Sequence, residues 1–169
     1  SSSSRGLGDV YKRQIMIWTI RIFLFLYFLI YFLLGAWAII DPVRDILSES
    51  FPSFMVAVGL SVTAPIGYSE VAGVYGGINV LVGLLCLVGI FSKYVAKKVL
   101  SLLAFLTFAI AFGRYLLSLI PTAPGFLNAF FIFEVVTFFI CIIFLIYLRL
   151  NESDQKRDIS QVTENESNA

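Results

Sequence analysis

Long runs of apolar residues alternate with short polar segments along this chain. Four of these runs cover residues 15–40, 70–91, 99–120 and 125–148. A helix that crosses a bilayer needs about 20 mostly apolar residues, whereas a strand of a membrane barrel shows a two-residue alternation that these runs lack. The pattern therefore predicts an all-α integral membrane protein whose four transmembrane helices pack as a bundle.

Basic residues are distributed unevenly around the predicted helices. They lie at the start of the first helix, between the second and third, and after the fourth: Arg21, Lys93, Lys97, Lys98, Arg149, Lys156 and Arg157. The segment between the first two helices has a single basic residue, Arg44, and the PTAPG segment between the last two has none. Because Lys and Arg are enriched in cytoplasmic loops, both termini are predicted to be cytoplasmic.

The segments outside these helices differ in character. Residues 41–69 form a long outer loop between the first two helices, and its apolar stretch 54–60 is expected at the outer interface or in the mouth of the bundle. Residues 151–169 are polar and predict a disordered cytoplasmic tail. The first helix is longer than the apolar core of a signal peptide, which favours its retention.

The first 14 residues, SSSSRGLGDVYKRQ, do not continue the membrane pattern. The stretch DVYKRQ is what a transposase-type sequencing adapter encodes when it is read in frame. We therefore expect residues 1–14 to be a library artefact, with Met16 as the native start and residues 15–150 as the membrane domain.

Composition narrows the classes of function. Of 169 residues, 59% are hydrophobic, 14% are charged and none is histidine. This composition excludes an ordinary soluble enzyme and a basic nucleic-acid binder, and the lack of histidine excludes His-ligated haem, His-based zinc sites and a Ser-His-Asp triad. We expect no metal, no cofactor, no catalytic residues and no nucleic-acid partner, and the lipid bilayer is the expected environment.

Small residues recur on one face of the second predicted helix. A GxxxG pair lies beside this face, and such faces let two helix backbones approach closely. The residues expected to pack against other helices are Ala72, Gly73, Gly76, Gly77 and Gly83.

A few polar residues interrupt the apolar runs in the half that is predicted to be outer. Arg114 and Glu134 lie about 9 Å and about 13 Å below the predicted outer ends of their helices, and Tyr75 and Asn79 lie at similar depth with Glu70 above them. A charge in hydrocarbon costs at least about 2.5–3.5 kcal/mol, so the arginine and the glutamate are expected to pair. The cluster is either a pocket that binds a ligand or relays a proton, or an ion pair that fixes helix packing.

Several of these positions resemble a known family. Asp41-Pro42 follows the first run, the segment Glu70-Val-Ala-Gly-Val-Tyr75-Gly-Gly opens the second, and Arg114 and Glu134 follow. Over residues 16–148 the chain resembles the bacterial membrane family catalogued as domain of unknown function 4345, which has four helices and an E-x-R-x-x-Y-G-G signature. The arginine of that signature is Ala72 here. The resemblance implies four helices and a bacterial cytoplasmic (inner) membrane location, and it transfers no chemistry.

Three functions are compatible with this sequence. The first is a non-enzymatic membrane protein whose polar cluster is structural or binds a small lipid-like ligand. The second is a redox accessory subunit of the small DoxX type that acts on a quinone, and the third is a small proton-coupled transporter that uses Glu134. The sequence has no nucleotide-binding motif of the Walker or GxGxxG type.

Overall fold

The computed structural model describes residues 2–43, 52–120 and 128–167, and this part of the chain is helical without any strand. It contains four helices that are long and apolar enough to cross a membrane, and their candidate spans are Tyr11–Ile40, Pro65–Phe91, Lys93–Ser118 and Ala129–Asp154. The all-α prediction and the four long apolar helices are thus confirmed, and they indicate an integral membrane protein.

The described residues contain six α-helices, one 3₁₀ turn and one π-helical segment. They are α1 (Ser2–Ile40), a 3₁₀ turn (Asp41–Val43), α2 (Phe54–Ala57), α3 (Pro65–Glu70), a π-helical segment (Val71–Gly77), α4 (Ile78–Phe91), α5 (Lys93–Ser118) and α6 (Ala129–Ser167). The α3 helix, the π segment and α4 follow one another without a break.

The chain divides into two compact units, Ser1–Ala96 and Lys97–Ala169. In the first unit, α1 packs against the helix that runs from α3 to α4. Gly35 lies against Gly76, Phe32 lies against Gly83, and Leu24 lies against Gly89. The residue numbers of the contacting positions decrease along α1 as they increase along its partner, so the two helices are antiparallel.

The second unit pairs α6 with the part of α5 that begins at Lys97. The side chains of Lys97 and Glu152 form an ion pair near one end of this helix pair, and the rings of Phe108 and Phe138 meet farther along. Arg114 and Glu134 meet near the other end. In these three contacts the residue numbers of α6 decrease as those of α5 increase, so α5 and α6 are also antiparallel.

Several helix ends differ from those expected from the sequence. The second long helix begins at Pro65 instead of near residue 70, because the Pro65 ring suits the first turn of a helix and Ala64 before it is extended. The third begins at Lys93 instead of residue 99, so its lysines are helical. Ser92 is the single residue between α4 and α5. Its backbone is extended, and its hydroxyl accepts a hydrogen bond from the Val95 N–H.

Both chain ends are more helical than the sequence analysis anticipated. The α1 helix starts at Ser2, within the segment 1–14 that we assigned to an adapter, and α6 runs to Ser167 through the segment expected to be disordered. Extending a helix that already exists adds hydrogen bonds without a new nucleus, and residues 151–167 contain no Gly or Pro to stop it. The PTAPG turn, the start of the fourth run near residue 125 and Arg44 lie outside the described residues.

Candidate functional site

An ion pair joins the two helices of the second unit. The Nε of Arg114 donates to both carboxylate oxygens of Glu134, at 3.2 Å to Oε1 and 3.0 Å to Oε2. The glutamate side chain is 9% exposed and the arginine side chain is 36% exposed. The acidic partner is therefore buried, while the basic partner extends from the contact toward the surface.

The positions of both residues follow from the helices that carry them. Arg114 lies four residues before the last residue of α5, and Glu134 lies five residues after the first residue of α6. At 1.5 Å per residue, both are about 6–8 Å from the end of their helix, so an antiparallel pair brings them to the same level.

Buried polar residues continue along the same helix faces. Thr107 lies seven residues before Arg114, Thr137 lies three residues after Glu134, and both threonines are fully buried. Each hydroxyl donates to a carbonyl of its own helix, Thr107 to Leu103 and Thr137 to Phe133. These hydroxyls are satisfied locally, whereas Glu134 is a buried charge whose partner is Arg114.

The guanidinium of Arg114 is only partly used by the protein. The ring of Phe130 lies 5.9 Å from Cζ and covers one side of the group. Both hydrogen bonds to Glu134 come from Nε, and within the described part of the chain Nη1 and Nη2 have no hydrogen-bond partner. Two N–H-bearing nitrogens thus remain available for an acceptor.

The other three residues of the predicted cluster belong to the first unit. Asn79 donates through Nδ2 to the carbonyl of Tyr75, at the junction of the π segment and α4. The Tyr75 ring lies 5.8 Å from the Phe54 ring, and Glu70 is exposed at the end of α3. The structure therefore brings together Arg114 and Glu134 in one unit and Tyr75 and Asn79 in the other, and the five-residue cluster stays a prediction.

The glycines expected to pack against other helices fall into two groups. A Cβ atom on Gly83 would lie 2.8 Å from the backbone N of Phe32, and one on Gly76 would lie 2.5 Å from the Ile39 side chain. A Cβ atom on Gly73 meets nothing within 4 Å among the described residues of its unit, and one on Gly77 meets only the Ala72 carbonyl at 3.8 Å. Gly76 and Gly83 mediate the close approach of α1, whereas Gly73, Gly77 and half-buried Ala72 make no such approach in this unit.

Sequence reasoning missed Gly35, the partner of these glycines on α1. A Cβ atom there would lie 2.7 Å from both the Gly76 carbonyl oxygen and the Val80 N. A lone glycine in an apolar run gives little signal, although its cost in a helix interior is a reason to expect such a contact.

A second missed feature lies at the end of α1. We name residues 52–60 the outer plug, after the outer location that the sequence predicts for this segment. Asp41, which is 2% exposed, accepts hydrogen bonds from the Phe54 N–H at 2.7 Å and from the Ser53 hydroxyl at 3.2 Å. The Ser53 hydroxyl in turn accepts from the Val56 N–H and so caps α2.

Aromatic contacts hold the outer plug in place. Trp37 donates through Nε1 to the Pro52 carbonyl at 2.8 Å, and its ring meets Phe54 edge-on with centroids 5.6 Å apart. Phe54 is 1% exposed and shares a core with Ala38 and Val71. The apolar stretch 54–60, expected at the interface or in the mouth of a bundle, thus inserts its first residue into the first unit.

Comparison with protein-family models, curated proteins and solved structures finds no match. Across the described residues, no group of three or more His, Cys, Asp or Glu side chains is arranged to hold a metal ion.

Proposed function

We propose that this chain is a non-enzymatic protein of the bacterial cytoplasmic membrane that binds the anionic headgroup of a lipid-like molecule at Arg114. The proposal includes an arrangement of four transmembrane helices as a bundle with both termini in the cytoplasm, and membership of the family catalogued as domain of unknown function 4345. Its support is the distribution of basic residues, the resemblance described above and the geometry around Arg114.

The observation that carries the proposal is the incomplete use of the guanidinium. An arginine that only neutralises a buried carboxylate commonly does so with two parallel N–H···O bonds from two nitrogens. Here Nε alone faces Glu134, and the edge that carries Nη1 and Nη2 has no partner among the described residues. That edge has the geometry to bind a phosphate or carboxylate with two hydrogen bonds.

Glu134 and Phe130 prepare this edge for binding. The carboxylate fixes the rotation of the guanidinium through Nε, and the Phe130 ring lies against one of its sides. A preoriented side chain loses less conformational freedom when it binds, which favours affinity. Because Glu134 also balances the positive charge, the arginine is tolerated in an apolar helix when the ligand is absent.

The test compares lipid binding by the parent protein and by a variant that lacks the pair without leaving an isolated charge. Each protein is purified in detergent, incubated with phosphatidylglycerol or with phosphatidylcholine of the same acyl chains, and examined by native mass spectrometry. The parent is expected to retain phosphatidylglycerol preferentially. The R114L/E134L variant is expected to lose that preference, since the partly unused guanidinium is its source.

The second ion pair of the same unit supplies a matched control. Lys97 and Glu152 lie 2.7 Å apart with 27% and 39% exposed side chains, so K97L/E152L removes the same charge types elsewhere. It should keep the preference for phosphatidylglycerol; an equal loss in both double variants would contradict a site at Arg114. Mass spectrometry of molecules that co-purify with the untreated protein separates the other functions, since a bound quinone would instead support the redox subunit.

A further inference from the structure

The segment Val71–Gly77 is wound more widely than the helices on either side of it. Its hydrogen bonds join residues five positions apart: the N–H of Ile78 donates to the carbonyl of Gly73. In an α-helix the N–H bonds to the carbonyl four residues back, so a π segment contains one residue more than the α-helix it replaces. Such segments are rare and occur frequently at functional sites.

The extra residue decides which side chains face α1. Val71 and Gly76 are both buried although they are five residues apart. In an α-helix, positions five apart point about 140° away from each other at 100° per residue. With hydrogen bonds that span five residues, the two positions come to the same side of the helix. Gly76 approaches Ile39, and Val71 joins the core with Ala38 and Phe54.

The same segment supports the outer plug. Val71 packs in the core that contains Phe54, and the Tyr75 ring also contacts the Phe54 ring. Asn79 donates to the Tyr75 carbonyl at the end of the segment, which stabilises the wide turn. The far side of the plug is held by Asp41 through Ser53 and the Phe54 N–H. The plug is therefore held by α1 on one side and by the π segment on the other.

We propose that the π segment is a hinge that opens and closes the outer plug. If the segment rewinds as α-helix without losing a residue, everything before it turns by about 100° relative to α4. Val71 then leaves its place beneath Phe54, and the plug loses one of its two supports. The open state presents the apolar site that the Phe54 ring leaves beside Trp37, suited to a flat apolar or aromatic group.

Room for this motion exists at Gly73. No described atom of the unit lies within 4 Å of the position its Cβ would take, so this part of the helix can rotate without a collision there. By contrast, Gly76 near the C-terminal end of the hinge and Gly83 beyond it are in tight contact with α1, which anchors the helix from there onward. Rewinding is thus expected to move α3 and the plug while α4 stays in place.

Deletion of Gly73 tests the hinge. Removing one residue turns the π segment into ordinary α-helix and preserves the relative orientation of α3 and α4, which locks the plug in its closed state. The readout is acrylamide quenching of Trp37 fluorescence in the full chain, with Trp18→Phe in every protein so that Trp37 is the sole emitter. We expect the deletion variant to retain helicity and cooperative unfolding, and its Trp37 to be quenched less than in the parent.

Two further variants make the result decisive. Deletion of Leu84, in the regular helix α4, should abolish the folded state because it rotates all that follows it. Asp41→Ala should shift Trp37 emission to longer wavelength and increase quenching, because it releases the plug. Loss of cooperative unfolding on deletion of Gly73 would overturn the proposal, since the segment would then contain no extra residue. Quenching equal to that of the parent would overturn it as well, since the parent plug would then not open.

Discussion

At the scale of single residues, two buried carboxylates in this chain are satisfied in different ways. Glu134 is paired with Arg114, whereas Asp41 accepts hydrogen bonds from the Phe54 N–H and the Ser53 hydroxyl. A buried carboxylate without such partners would be strongly destabilising. The pairing of Glu134 was predictable, because opposite charges in apolar helices have few other partners. The contacts of Asp41 with Ser53 and Phe54 were not, since they join residues more than ten positions apart.

The asymmetric burial of the ion pair leads to a prediction about its two halves. Arg114→Leu leaves a carboxylate that is 9% exposed without its charged partner, and it should lower the free energy of unfolding by about 3 kcal/mol. Glu134→Leu should cost less, because the longer, 36% exposed arginine can move its charge toward the membrane surface. The double variant should recover much of the loss, since no charge is left unpaired. Thermal unfolding in detergent, followed by circular dichroism, measures all three.

The second unit supplies a control for this double-mutant cycle. Lys97 and Glu152 also form a close ion pair, but both side chains are more than a quarter exposed. Exposed pairs contribute roughly 0–1 kcal/mol, so the coupling energy between these two should be small. Additive effects of R114L and E134L, with no recovery in the double variant, would contradict a stabilising pair.

At the scale of elements, the close approach of two helices depends on which small residues face the partner. The sequence pattern marked five small residues on the second predicted helix, and two of them, Gly76 and Gly83, contact α1. The π segment explains why the pattern was only partly informative. The extra residue of the π segment changes which side chains face α1 compared with a regular α-helix. A single added residue cannot be recognised from the amino-acid composition.

Alanine substitutions should separate the two groups of glycines. In Gly83→Ala the new Cβ would lie 2.8 Å from the backbone N of Phe32, which cannot move without displacing α1. Overpacking of this kind typically costs about 1–3 kcal/mol. Gly73→Ala meets no described atom of the unit and exchanges glycine for a better helix former, so it should be neutral or stabilising. If both variants lost the same thermal stability, the close contact between Gly83 and Phe32 would not be the reason that position 83 requires glycine.

The helix boundaries show what apolar patterning can and cannot predict. Four long helices follow from run length alone, because no other structure hides the backbone of 20 apolar residues in a bilayer. Their ends extend beyond the apolar runs, as at Pro65 and Lys93 and along α6 to Ser167. The membrane boundary determines where apolar residues stop, whereas a helix continues until a residue such as Ser92 interrupts it.

At the scale of the whole molecule, each unit is a pair of antiparallel helices. The antiparallel order within a unit was predictable, because consecutive membrane-spanning helices must alternate in direction. The partners at each level were not, since they depend on Gly35, on the π segment and on the register of α5 against α6. Those features come from atomic contacts that run length and charge do not encode.

The orientation of the chain in the membrane is the last prediction. Lysines at positions 93, 97 and 98 lie at the start of α5, and Arg149 lies in α6 near Glu152, which pairs with Lys97. Since basic residues are retained on the cytoplasmic side, this end should be cytoplasmic and the outer plug should face outward. Reporter fusions test this directly: a periplasmic reporter inserted at Ser53 should be active, and cytoplasmic reporters at Ser92 and Ser153 should be active. An active periplasmic reporter at Ser153 would contradict the proposed topology. It would indicate an odd number of membrane-spanning helices or the opposite orientation.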